Sequence, residues 1–290
     1  MRLAFPSPVT RHRFRGIDFY LKRDDRIDPD FSGNKARKFL WLLETGMPGI
    51  RRVVSYGSIQ SNAMYSLSVL AKMRGWRFEY YVHHIPRFLR ENPHGNYLGA
   101  LQNGMVLHEG ESLPDIDSSD TLMIEEGGRD MRSEYGIAKL AKELQDRFGE
   151  SSVQIFLPSG TGTTALFLQK HLPWRLYTTP CVGDASYLKA QFKALEPDER
   201  YHPTILETPR KYHFGKLYRD FVKIWIELKK ETEVTFDLLY DPKGWLAILA
   251  NREILQGPLC YIHQGGLLGN ESMIRRYERK FHEVFKYAGG

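Results

Sequence analysis

Val153 to Ala165 reads V-Q-I-F-L-P-S-G-T-G-T-T-A, and the helical run L-F-L-Q-K-H-L follows from Leu166. An apolar, β-branched and aromatic run, a loop of glycines and hydroxyls, then a helical pattern is the signature of one strand-to-helix unit. The same succession recurs along the chain. RRVVSYG (51–57) leads into SNAMYSLSVLAKMRG (61–75), and LYTTPCVGD (176–184) leads into ASYLKAQFKAL (185–195). FDLLYDPKG (236–244) precedes WLAILANREIL (245–255), and PLCYIHQGG (258–266) precedes ESMIRRYERKF (271–281). Strands alternating with helices predict an α/β chain with largely parallel sheets, whose ligands collect in the loops at the carboxyl ends of the strands. The chemistry is therefore to be sought at these junctions.

Composition narrows the classes of partner. The 290 residues are 42% hydrophobic and 26% charged, which suits one large core or two smaller ones and excludes disordered or fibrous chains. The longest unbroken apolar run, Trp245 to Ala250, is far too short to cross a bilayer. The start, MRLAFPSPVTRHRFRG, has charges but no apolar centre, so no secretory signal is expected. Cys181 and Cys260 form no CxxC pair and no disulfide framework, and a reducing cytoplasm is expected. The net charge of +6 and pI near 9.1 raise the question of nucleic acid. Basic residues are scattered, however, and no zinc-finger or RNP-like segment is present, so no nucleic-acid partner is expected and small anions suit the charge as well.

Within the opening stretch, Ser159-Gly160-Thr161-Gly162-Thr163-Thr164-Ala165 offers two glycines and several hydroxyls at a helix N-terminus, which suits a phosphate cradle, the alternative being an ordinary tight turn from strand to helix. No lysine follows Gly162, so it is not a Walker A loop; it does match G-x-G-x-x-A, with Asp184 after the next strand. In Ser58-Ile59-Gln60-Ser61-Asn62, either Ser61 or Asn62 caps the next helix, or the polar set receives a carboxylate. Taken alone, Lys35 in SGNKARK (32–38) reads as a solvated first-turn lysine. The acidic set Asp24, Asp25, Asp28 and Asp30 starts like an EF-hand loop, but Pro29 intrudes and Phe39 stands at the closing position, so no calcium site is expected. His83, His84 and His94 lack metal-ligand spacing, and no GxSxG elbow is present. No metal is expected.

In order and spacing, LKRDD (21–25), SGNKARK, SYGSIQSN (55–62), HGNYLGALQNG (94–104), EEGGRDMRSEYG (125–136), SGTGTTA (159–165), LLYDPKGW (238–245) and HQGG (263–266) resemble one family. It is the tryptophan-synthase-β-like, fold type II group of pyridoxal-phosphate (PLP) enzymes, and within it the 1-aminocyclopropane-1-carboxylate deaminases and D-cysteine desulfhydrases. The resemblance implies two parallel-sheet αβα domains with the cofactor between them. The large domain would take residues 1–45 and 139–290, and the small one, carrying the Gln-Ser-Asn loop, residues 46–138. It implies Lys35 as the Schiff-base lysine that also shuttles the substrate's proton, and Lys38 with Gly160, Thr161, Gly162, Thr163 and Thr164 as the phosphate site. Asn62 would reach the ring's phenolic oxygen. Gln60, Ser61 and Asn62 would seat the substrate carboxylate, with Ser61 also among the catalytic residues. Tyr240 would move protons beside the ring, and Asp241 would hold the pyridine nitrogen protonated. A homodimer acting on a small amino acid is implied as well.

Departures fall on the substrate side. Counting back from Tyr240 puts Phe214-Gly215 where the family has a second active-site tyrosine, with Tyr212 and Tyr218 as nearby substitutes. Ala63 replaces Gln or His, and Gln264 stands where desulfhydrases have Thr and deaminases Leu. The expected reaction converts a small amino acid to a 2-oxo acid and ammonia. Loss of a tyrosine favours β-elimination from D-cysteine, while Asp241 resembles the deaminases' Glu and speaks for the cyclopropane substrate. Two further readings remain at this stage: a PLP-binding protein without turnover, and a Rossmann NAD(P) oxidoreductase using the G-x-G-x-x-A match.

Overall fold

A computed structural model describes residues 3–116 and 119–286. The chain opens with β1 (Val9–Phe14) and β2 (Ile17–Arg23), then α1 (Gly33–Glu44). β3 (Arg52–Tyr56), α2 (Asn62–Arg74), β4 (Arg77–Val82), α3 (Arg87–Glu91), α4 (Gly95–Gln102), β5 (Val106–Glu109) and β6 (Thr121–Ile124) follow. Next come α5 (Glu134–Phe148), β7 (Gln154–Ser159), α6 (Thr163–His171), β8 (Leu176–Pro180), α7 (Ala185–Leu195) and β9 (Thr204–Ile205). The chain closes with α8 (Arg219–Thr232), α9 (Asp241–Ala250), β10 (Leu259–His263) and α10 (Gly269–Lys286).

Two sheets result. One has six strands in the order β1-β2-β10-β7-β8-β9, and the other four in the order β5-β4-β3-β6. Every pairing is parallel except that of β1 with β2, whose two-residue connection permits only a hairpin. The central strands of the six-stranded sheet are covered on both faces: Leu157, Cys260 and Ile262 face the core with α5, α6 and α7, while Phe156, Leu259 and Tyr261 face the one with α8 and α9. Strands buried on both faces read as continuous apolar runs, which is why IFLP and LCYI stand out in the sequence.

One predicted strand is absent. Phe236 to Leu239 forms no ladder, and α9 starts at Asp241 and stops at Ala250, short of the expected 255. The reason is competition for backbone hydrogen bonds. Asp237 Oδ1 accepts from the amides of Leu239 and Tyr240, and Asn270 Oδ1 accepts from Leu238 N. With its donors taken by side chains, this segment turns instead of pairing.

The acidic set near residue 24 has structural occupations. Asp24 and Glu143 meet the guanidinium of Arg37, and Lys22 Nζ donates to Glu143 at 2.5 Å. Arg37, Asp24 and Lys22 are almost wholly buried, so the network joins β2, α1 and α5 in a low-dielectric interior. Asp25 pairs with Arg23, Asp28 Oδ1 accepts from the amides of Asp30 and Phe31, and Asp30 accepts from Tyr65. Among the described residues, no group of three or more His, Cys, Asp or Glu could hold a metal. No helix among them is long and apolar enough to cross a membrane.

Candidate active site

The loops after β3, β6, β7 and β10 and the turn before α9 share one region, and α1 supplies its lysines. Gly33 is what lets α1 begin there. Its φ is +64°, and a Cβ at this position would collide with the carbonyl of Gln264 just after β10. Asn34 N donates to Gln264 O at 3.0 Å, and Gln264 Nε2 donates to Pro158 O at 2.6 Å. The start of α1 is thus tied to the ends of β10 and β7, with Lys35 one residue on.

Lys35 Nζ and Lys38 Nζ both donate to Gly127 O, at 3.0 and 3.1 Å. Neither ammonium has a carboxylate partner among the described residues. Burial lowers Lys35 to about 8. It pushes Lys38 further down, with the charges of Lys35 and Arg129 adding to the effect. Two adjacent ammonium groups, one buried and one half-buried, without an anion form a site that an anion would stabilise.

The anion's cradle lies beside them. Lys38 Nζ reaches Thr161 Oγ1 at 3.4 Å, and Thr161 Oγ1 lies 3.1 Å from Thr163 Oγ1. Gly162, at φ +77°, precedes α6 without a side-chain cap, so the first amides of the helix remain free. Its Cβ would strike Leu188 and Phe192, which requires glycine there. The Thr164 hydroxyl is buried and has no hydrogen-bond partner. Cationic side chains, unspent amides and an orphaned hydroxyl fit a phosphate group. Lys35, made more nucleophilic by its lowered pKa, fits an aldehyde-bearing ligand. The residues present therefore suit pyridoxal phosphate.

Around this centre the other expected residues divide. Ser61 Oγ accepts from Ala63 N and Met64 N, so it caps α2, one of the two roles open to it. Asn62 Oδ1 accepts from the buried Asn96 at 2.6 Å, and its Nδ2 lies close over Gly266. Asn96 also donates to Gln60 O, so the whole Gln-Ser-Asn loop is braced from α4. Tyr240 stands beside Gly160, with its hydroxyl 3.7 Å from where a Cβ of that glycine would lie. Burial, with the charge of Asp237, raises the pKa of that hydroxyl, which stays protonated. Asp241 is engaged at both oxygens: Tyr261 OH donates to Oδ1 at 2.6 Å and Asp237 N to Oδ2 at 2.8 Å.

Phe214 does lie here. Its ring packs 5.5 Å from that of Tyr240, while Tyr212 OH donates to Asp220 and Tyr218 OH accepts from His213 N. The Tyr212 hydroxyl is thus committed to Asp220, and the Tyr218 oxygen is held by the His213 amide. Asp184, the residue a dinucleotide fingerprint would direct to a ribose, caps α7 by accepting from Tyr187 N. Three contributors had no role assigned in the sequence reading: Gly127, Asn96 and Asp237. The first two sit in the motifs EEGG and HGNYLG. Asp237 carries a weaker signal, an acid three residues before Tyr240.

No protein-family model matches the chain. A Thermotoga maritima protein provisionally named a 1-aminocyclopropane-1-carboxylate deaminase is 24% identical over 296 aligned residues, covering 90% of this chain and 92% of its own. An Oryza sativa subsp. japonica protein provisionally named a mitochondrial D-cysteine desulfhydrase is 24% identical over 346 aligned residues, 91% of this chain and 81% of its own. Among solved structures, an ACC deaminase homologue superposes with a TM-score of 0.74 at 21% identity, covering 93% of this chain and 92% of that one. A T.th. threonine deaminase gives 0.68 at 14% identity over 90% and 92%. A pyridoxal 5'-phosphate-dependent aspartate racemase gives 0.62 at 15% identity over 90% of each chain.

Proposed function

We propose that this chain, which has the fold of the type II pyridoxal-phosphate enzymes and resembles their cyclopropane-carboxylate deaminase and D-cysteine desulfhydrase branch, is a lyase that releases ammonia and a 2-oxo acid from a small amino acid. The observation that carries this is the pair Lys35 and Lys38, half-buried and buried on one helix without a counter-anion, both on Gly127 O, with Lys38 also reaching Thr161 of the glycine-threonine loop. When bound, pyridoxal phosphate supplies an electron sink that makes the substrate's α-proton removable. Lys38, the hydroxyls of Thr161, Thr163 and Thr164, and the backbone of the turn at residues 160–162 with the uncapped amides at the start of α6 would hold its phosphate. Lys35, neutral in a sizeable fraction near pH 8, would accept the α-proton at Nζ. Asn62 offers Nδ2 as a donor, and with Gln60 and Ser61 it would orient the substrate's carboxylate. Tyr240, whose hydroxyl remains protonated, would deliver a proton to the departing β-substituent.

β-Elimination from D-cysteine is favoured by Phe214. A phenylalanine beside Tyr240 provides no second acid or base, and thiol departure from a substrate with an α-proton needs only one of each. The balance is D-cysteine and water to pyruvate, hydrogen sulfide and ammonia. Deamination of 1-aminocyclopropane-1-carboxylate is the second reading, supported by the acid at Asp241 and by the name of the Thermotoga relative. Purified protein assayed for sulfide from D-cysteine and for 2-oxobutanoate from the cyclopropane substrate separates them, and product from only the latter overturns the first choice. Lys35→Ala, read by the visible absorption of the protein with added pyridoxal phosphate, tests the shared premise. An unchanged band in that variant removes Lys35 from its role.

A further inference from the structure

Resting on the cofactor reading above, we infer that Asp237, and not Asp241, is the carboxyl group that meets the bound cofactor, with Asp241 held behind it as a structural acid. Sequence order favours Asp241, which directly follows Tyr240. The geometry favours its neighbour. Both oxygens of Asp241 accept short hydrogen bonds from protein, one from Tyr261 in β10 and one from the amide of Asp237. On Asp237 the hydrogen bonds converge on Oδ1 alone, from the amides of Leu239 and Tyr240. No hydrogen bond among the described residues ends on Asp237 Oδ2. That oxygen and Asn62 Nδ2 flank one spot beside Gly266: a methyl group built on the glycine would lie 3.5 Å from the former and 2.5 Å from the latter.

A donor and an acid close to one spot would suit one edge of the pyridoxal ring. On that edge the phenolic oxygen and the ring nitrogen are separated by two ring carbons. Asn62 would donate to the oxygen, and the Asp237 carboxyl group would share a proton with the nitrogen. Gly266 has no side chain to fill the place. The turn that carries Asp237 is held firmly, because Asn270 in α10 accepts from Leu238 N and donates to Phe236 O. Asp237 also orders Tyr240 through its amide, so one residue sets both the acid and the tyrosine.

The charged and titratable surroundings make this acid unusual. Burial raises Asp237 to about 7. Burial also raises Asp241, with Asp237 and Asp25 adding like-charge repulsion. The neighbouring groups are Tyr240 on the same turn, Tyr261 from β10, and Cys181 from the loop after β8, with Lys243 of α9 beyond it. None of these is a cation in contact with either carboxyl group. Two acids in one buried pocket cannot both ionise cheaply, so a proton is retained between them into the neutral range.

The test reads the bound cofactor instead of turnover. The protein loaded with pyridoxal phosphate is scanned from acid to alkaline pH, and its visible spectrum is expected to show a step near neutrality. Asp237→Asn preserves the acceptor for Leu239 and Tyr240 but carries no titratable proton, and it should abolish that step. Asp241→Asn should keep the step and lower the melting temperature, since its amide cannot accept from both partners. An unchanged step in D237N, or its loss in D241N alone, overturns the assignment. Should D237N fail to fold, the infrared difference spectrum of the unmutated protein on adding pyridoxal phosphate decides, and a spectrum without any carboxyl change overturns it. A protein that forms no Lys35-dependent visible band fails at the cofactor reading itself, whereas a normal band that ignores D237N fails only here.

Discussion

At the scale of single residues, the site is governed by what burial does to charge. In the role proposed for it, Lys35 would act as a nucleophile near neutral pH because desolvation lowers its pKa, not because a base stands next to it. The rate at which apoprotein acquires its visible band from pyridoxal phosphate should therefore rise with pH and level off above about 8. A stopped-flow series over that range checks this, and a rate that keeps rising up to the ordinary lysine pKa contradicts it. Phe214 belongs to the same scale. Phe214→Tyr places a hydroxyl close to Tyr240, and the ratio of cyclopropane-carboxylate turnover to D-cysteine turnover should rise. Measuring kcat/KM for both substrates reads it; an unchanged ratio would detach Phe214 from substrate choice.

At the scale of elements, α1 is placed by two devices that have nothing to do with its own helical propensity. Gly33 lets its start press against Gln264, and Arg37 anchors its middle to Asp24 and Glu143. Removing one partner of a fully buried ion pair strands the others, so Arg37→Ala should cost about 3–5 kcal/mol in a denaturant titration. Because Lys35 and Lys38 flank Arg37 on the same helix, the loss should also loosen cofactor binding. Gly33→Ala is expected to be worse for the site than for the fold. It strains a positive φ and drives α1 away from Gln264, so Lys35 is misplaced while both sheets persist. Retained circular dichroism with a lost visible band is the expected pattern.

At the scale of the whole molecule, the buried acids set a direction for stability against pH. Asp237 and Asp241 bind protons more tightly folded than unfolded. Their contribution is therefore complete below about pH 4, where the unfolded chain also holds those protons; Asp237's share is lost as pH rises to about 7, and Asp241's is lost in the same direction. Asp24 opposes this at the acid end. Its pKa is lowered despite burial, by Arg37 above all, so its share is lost as pH falls below the usual carboxylate range. Melting temperatures should show the first decline between about pH 4 and 7, and D237N should flatten it. A D237N profile parallel to the unmutated one removes that carboxyl group as the source.

The class of fold, the parallel order of most strands and the place of the glycine-threonine loop before α6 are all legible in the order of residues. They rest on local signals: apolar runs buried on both faces, glycines at strand ends and hydroxyls before a helix. The succession of eight short motifs carried the candidate lysines as well, although nothing local distinguishes Lys35 from a surface lysine. Its partial burial, and the absence of a counter-charge beside it, exist only once Gly127 and the loop after β7 are brought against α1. Phe236 to Leu239 shows the limit from the other side. Its residues favour a strand, yet Asp237 and Asn270 take the backbone amides that a strand would need. Which hydroxyls are spent, which carboxyl oxygen is left open and which ring lies beside Tyr240 were likewise settled by packing in three dimensions. Each depends on partners distant in sequence, because a hydrogen-bonding group is free or committed only relative to what folding brings within its reach.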